Sequence, residues 1–197
     1  MDEEKNKSRE KFEQNGFFVF ENILDAQLIK RLRCFTEKIL DETDSEHFES
    51  HLSTGSMVLI NWDMAYQFDV LTELIAHPGA LVALKKLGFE SPKFGHGRII
   101  SKPPQSPPLF WHEDGRFWND PVSYTKQPIQ CFLMYYLTDT TRINGCLRLI
   151  PGSHLNRHSI LEKIESHHTN ENRKYEKPNA PEFSHLEDEI DVSVKAG

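Results

Sequence analysis

The residues of this chain best suited to chemistry are His112 and Asp114, set in the run Phe110-Trp111-His112-Glu113-Asp114-Gly115. In an extended backbone, side chains two apart face the same way, so an imidazole and a carboxylate converge on one ion while Glu113 points elsewhere. That donor pair suits Fe(II), and less exclusively Mn(II) or Zn(II). Non-haem iron of this kind takes two imidazoles and one carboxylate, leaving three adjacent positions for a chelating cosubstrate and O₂. The aromatic neighbours Phe110, Trp111, Phe117 and Trp118 would keep the region partly dry. Taken alone, His-x-Asp is a common spacing in a chain with 10 histidines, and its surroundings must carry the assignment.

The elements that have to position this pair change character along the chain. Ser8 can cap a short helix that ends near Gln14, with Gly16 as its stop, and Phe17-Phe18-Val19-Phe20 reads as a buried strand. Asp25 caps a second helix in which Leu24, Leu28, Leu32, Phe35 and Ile39 form one apolar stripe. A polar stretch from Asp41 to Gly55 reads as loop, and Met57 to Ile60 as a short strand. Asp69 caps a helix over Val70 to Ala76, Pro78 interrupts, and a further helix over Ala80 to Leu87 closes at Gly88. Beyond residue 92 the periodicity turns to short β-rich runs at Phe94, Ile99-Ile100, Ile129 to Leu137, Cys146 to Ile150, and Val192 with Val194. Turn residues such as Pro107-Pro108, Asn144-Gly145 and Pro151-Gly152 separate them.

Helices followed by many short strands predict a mainly β fold with an N-terminal helical layer on a sandwich or barrel. The single domain divides into a helix-rich layer over 1–92, a β core with the ligand motif over 93–154, a polar loop or lid over 155–190, and the start of a further core strand over 191–197.

Bulk properties narrow the function classes. The chain has 197 residues and a mass of 22.9 kDa, with 38% hydrophobic residues and a mean hydropathy of −0.57, enough for one sizeable core. No apolar run approaches the roughly 20 residues of a membrane span, and the charged N-terminus does not resemble a secretory signal, so the expected address is cytoplasmic. A net charge of −7 without a basic stripe argues against a nucleic-acid partner. Cys34, Cys131 and Cys146 read as small buried hydrophobes in a reducing compartment.

The ordered set Ile100-Ser101-Lys102-Pro103-Pro104, Trp111-His112-Glu113-Asp114-Gly115, Asn144-Gly145-Cys146-Leu147 and Pro151-Gly152-Ser153-His154 resembles the phytanoyl-CoA dioxygenase family of Fe(II)/2-oxoglutarate oxygenases. Asn15-Gly16-Phe17-Phe18-Val19 is similar to the family's N-terminal pattern, and Val192 to Gly197 to the strand that precedes its Gly-Asp turn. The resemblance implies a double-stranded β-helix, the cupin-like jelly roll, with His112 and Asp114 as proximal iron ligands and 2-oxoglutarate on the metal. It further implies that Arg98 and Met134 stand where the family contacts 2-oxoglutarate. The partners that the resemblance implies are a small organic or acyl substrate and O₂. Related halogenases replace the carboxylate ligand by a small residue, so Asp114 implies hydroxylation or another oxidation, in which 2-oxoglutarate gives succinate and CO₂.

In the family a distal histidine and a 2-oxoglutarate-binding arginine follow the Gly-Asp turn. Gly197 resembles the first residue of that turn, so the expectation is a jelly roll lacking its last strands and both of those residues. Within the chain, His154 reads as a turn residue, His158, His167 and His168 as exposed, and His185 as a weak candidate for third ligand. Two alternatives follow: a non-catalytic product with an interaction or regulatory role, and a cupin-like metal protein that uses an internal third ligand.

Overall fold

The Asp25 carboxylate accepts the Leu28 backbone N–H at 2.7 Å and caps the helix over Ala26–Asp41. The computed structural model describes residues 2–44, 46, 49, 57–61, 67–102, 104–114, 120–164 and 179–197. Its N-terminal layer consists of α1 (Asp2–Asn15), α2 (Ala26–Asp41), α3 (Asp69–Ile75) and α4 (Pro78–Lys86). The stripe on α2 buries Leu28 and Leu32, which join Leu24, Leu71 and Leu74 in the main core, with Phe35, Phe68, Ile99 and Tyr135 packed against it. Burying a leucine contributes about 2 kcal/mol, so these five positions dominate the cohesion of the layer. Helix α1 docks through Phe12, whose ring meets Phe89 edge-on at 5.8 Å. No helix among the described residues is long and apolar enough to cross a membrane.

Three helix starts differ from the sequence reading, one of them at α4, which begins at Pro78 itself and not after an interruption there. Helix α1 already begins at Asp2, and Ser8 lies buried within it rather than capping it. Helix α3 is preceded by Phe68 without a side-chain cap, and Asp69 is its first residue, where a carboxylate still complements the positive end of the helix dipole. Gly16 ends α1 at φ +80 and Gly88 follows α4 at φ +96, as the sequence predicts.

The β structure is sparser than the run of β-rich segments suggests. Among the described residues, β1 (Met57–Asn61) pairs antiparallel with β2 (Arg98–Ser101), and β3 (Leu147–Leu149) pairs antiparallel with β4 (Ile190–Val192). An isolated antiparallel bridge joins Thr140 to Val194. Phe17 to Phe20 form no strand, and Val19 is exposed. The run Ile129 to Leu137 is likewise outside any strand, with Ile129 74% and Met134 53% exposed. Apolar, β-prone residues become strand only when a neighbour pairs their backbone groups and one face is buried; Tyr135 and Leu137 do pack against the main core, but no strand among the described residues pairs with this run.

The segment expected as a polar loop or lid packs at both flanks. Ile160 and Leu161 of α5 (Ile160–Lys163) form a second small core with Ile164, against which Trp111, Ile150 and Leu186 pack. Phe183, in a 3₁₀ turn over Pro181–Phe183, is buried as well. Composition hides this, because a few well-spaced apolar residues suffice for a satellite core. The cysteines also depart from expectation: all three are free thiols, but Cys34 and Cys131 are exposed and Cys146 is only half-buried. Cys34 falls off the Leu28-Leu32-Phe35 stripe, so α2 turns it outward.

Candidate metal centre

His112 and Asp114 lie in an extended segment outside any strand, held by its neighbours. Phe110 is buried, its ring 4.8 Å from the imidazole of His112. The Phe110 carbonyl is 2.9 Å from His112 Nδ1, and because a carbonyl only accepts, Nδ1 carries a proton, which in the neutral ring leaves the lone pair on Nε2. That is the tautomer in which a histidine ligates a metal through Nε2 while its other nitrogen is fixed by a backbone oxygen. His112 Nε2 faces Asp114 Oδ1 at 3.8 Å. Adjacent donors on an ion with bonds of ~2.1 Å sit about 3 Å apart, so a small rotation of the exposed Asp114 side chain brings both into register. An imidazole and a carboxylate are two donors of the kinds that a divalent first-row metal takes.

Glu113 is withdrawn from the pair, as the alternation of side chains requires. Tyr124 donates its hydroxyl to Glu113 Oε1 at 2.7 Å. Burial, and then the Glu113 carboxylate, push the Tyr124 phenol up to about 12, so it remains a donor across the physiological range. Trp111 anchors the segment on its other side: its backbone N–H donates to the Glu182 carbonyl at 2.7 Å, and its indole Nε1–H to the Ser184 carbonyl at 2.8 Å.

The remaining site residues of the sequence reading are placed elsewhere. Arg98 opens β2 and is exposed, and Met134 stands exposed in the extended run after residue 129. No hydrogen bond or ion pair among the described residues joins either to His112 or Asp114. His154 donates from Nε2 to the Glu13 carbonyl at 3.0 Å and packs on Gly16, which makes it a structural turn residue. His158 bonds Asp188 at 3.0 Å and accepts the Ile160 N–H at 3.1 Å on its other nitrogen. His185 bonds Glu189 Oε1 at 2.8 Å. Among the described residues, no group of three His, Cys, Asp or Glu is placed to share a metal. Gly115, Phe117, Trp118, His167 and His168 lie outside the described residues.

Sequence reasoning passed over Arg148 and Glu189. The Arg148 guanidinium carbon lies 4.9 Å from the centre of the Trp111 ring, and its Nη1 donates to both Glu189 oxygens, at 3.2 and 3.1 Å. One signal was available, a lone cation inside the apolar run Leu147-Arg148-Leu149-Ile150, since a charge in such a run is retained where it is paired. The Asn144-Gly145 turn was legible: Asn144 ends a 3₁₀ turn and Gly145 takes φ +80. The positive φ is what requires glycine here; a Cβ would also crowd Lys102 Cε, at the flexible end of a side chain that can move aside.

The family model described as Phytanoyl-CoA dioxygenase (PhyH) matches residues 12–197, which is nearly the whole chain. No curated protein and no solved structure matches it.

Proposed function

Because the chain belongs to the phytanoyl-CoA dioxygenase family, we propose that it is an Fe(II)- and 2-oxoglutarate-dependent oxygenase of a small organic or acyl substrate, with His112 Nε2 and Asp114 as iron ligands. The observation that carries the reading is the orientation of His112: Nδ1 is committed to the Phe110 carbonyl at 2.9 Å, and Nε2 is turned to the exposed Asp114 carboxylate. Iron and 2-oxoglutarate bound there supply, with O₂, the oxidising power for a substrate C–H bond, releasing succinate and CO₂.

The chain's own groups select and orient. Phe110 fixes the tautomer of the ligand imidazole. Tyr124 donates to Glu113 and leaves Asp114 as the carboxylate turned to His112. Arg98, with a guanidinium fork suited to a carboxylate, and Met134, with a flexible apolar side chain, are the proposed contacts of 2-oxoglutarate. The pairing of β3 with β4 and the Thr140–Val194 bridge support placing these segments in the double-stranded β-helix of the family.

Anaerobic titration with Fe(II), then 2-oxoglutarate, tests the assignment through the weak visible charge-transfer band of a 2-oxo acid bound to Fe(II). His112→Ala and Asp114→Ala are expected to lose Fe(II) affinity by about 100-fold, with the melting temperature held as a control for folding. Glu113→Gln should retain it. Wild-type affinity in both ligand variants would sink the reading.

A further inference from the structure

We propose that Arg148 is a positioning residue for the His112–Asp114 pair, acting through Trp111 and Glu189, an inference that rests on the iron reading above. Trp111 directly precedes His112 and is held on three sides. Its backbone N–H and its indole N–H are bound by the carbonyls of Glu182 and Ser184, at 2.7 and 2.8 Å. The face of its ring is covered by the Arg148 guanidinium. Arg148 is in turn fixed by Glu189, whose second oxygen also accepts the Leu186 N–H at 2.9 Å and whose first accepts His185 Nδ1–H at 2.8 Å. Residues 182–189 and β3 thus close around one indole, and Arg148 is the group common to both.

The path from that indole to the ligand is one peptide long. With Trp111 fixed, the Phe110 carbonyl and the His112 backbone keep their relative orientation, and the hydrogen bond that sets the His112 tautomer keeps its geometry. Arginine suits the task because a planar guanidinium stacks on an aromatic face while donating in its own plane. Lysine cannot do both with one rigid group. The charge of Arg148 is matched by Glu189, with side-chain exposures of 18% and 12%, so the pair presents little net field at His112 and its influence is through position.

The test uses the full chain with Trp62→Phe and Trp118→Phe, in which Trp111 is the one remaining indole. In metal-free protein, Arg148→Met is expected to red-shift Trp111 emission, speed exchange of the Trp111 amide at least about tenfold, and convert the His112 side-chain ¹⁵N signature from one tautomer to a mixture. Fe(II) affinity should fall by about tenfold. Arg148→Lys should not restore the tautomer, and Arg148→Met with Glu189→Gln should be no worse than Arg148→Met alone. Glu189→Gln carries the same test with a milder change should Arg148→Met fail to fold. Full restoration by Arg148→Lys would assign the effect to charge and overturn the proposal, as would a loosened Trp111 with His112 unchanged. Failure of the wild-type chain to take up Fe(II) overturns the iron reading, and the metal-free signals of Trp111 and His112 decide the positioning role independently.

Discussion

In the helical layer, Leu71 keeps 1% of its surface and Leu32 2%, and cohesion comes from leucine packed on leucine. Around His112 a small apolar core against Trp111 is supplemented by polar, discrete fastening: two carbonyls on Trp111, one on the imidazole, a phenol on Glu113 and a carboxylate on Arg148. Apolar packing is non-directional and spreads a perturbation over the whole layer, whereas a hydrogen bond fails one partner at a time and locally. The molecule therefore separates the region that keeps it folded from the region that must hold atoms at set angles.

Leu71→Ala is the largest expected perturbation on the helical side, costing about 3 kcal/mol in denaturant unfolding while leaving Fe(II) affinity within about twofold; a tenfold loss of affinity would break the contrast. Glu189→Gln should cost less, about 2 kcal/mol at neutral pH, and act first on the Trp111 amide. Burial raises the Glu189 pKa, but the Leu186 N–H, His185 and Arg148 outweigh it, leaving the carboxyl below its ordinary 4.5. A carboxyl depressed on folding contributes stability that is present above its unfolded pKa and is lost as pH falls through the folded one. The gap between wild type and Glu189→Gln should then be full at pH 7 and narrow below about pH 4.5, as read by urea unfolding across pH; a constant gap would show that the ion pair is not its source. Smallest of the three, Asp25→Ala should cost about 1 kcal/mol through loss of the α2 cap, visible as a drop in thermal midpoint with no change in the His112 ¹⁵N signature.

What could be read in the chain beforehand follows the range of the interaction. The Asp25 cap and the glycine stops at 16 and 88 depend on residues within a turn, and they stand where the spacing places them. His112 and Asp114 were legible as a pair because two residues suffice to set their common direction. Arg148 with Glu189 spans 41 residues, and nothing local announces such a partner. The apolar run from Ile129 was read as strand on composition, yet strand formation depends on a neighbour that composition does not supply. Ser8 shows the converse: a residue with cap chemistry lies inside a helix when a longer stretch before it is helical.

The contact of Gly16 with His154 bears on how this protein can be cut and rejoined. A Cβ at position 16 would run into the His154 ring at Nδ1, Gly152 N–H donates to the Asn15 carbonyl at 2.9 Å, and His154 bonds the Glu13 carbonyl. The end of the first helix and the turn after β3 are thus fitted to each other like a key and its slot. Grafting the helical layer onto a different β half, or exchanging it between relatives, would have to carry residues 151–154 along with it.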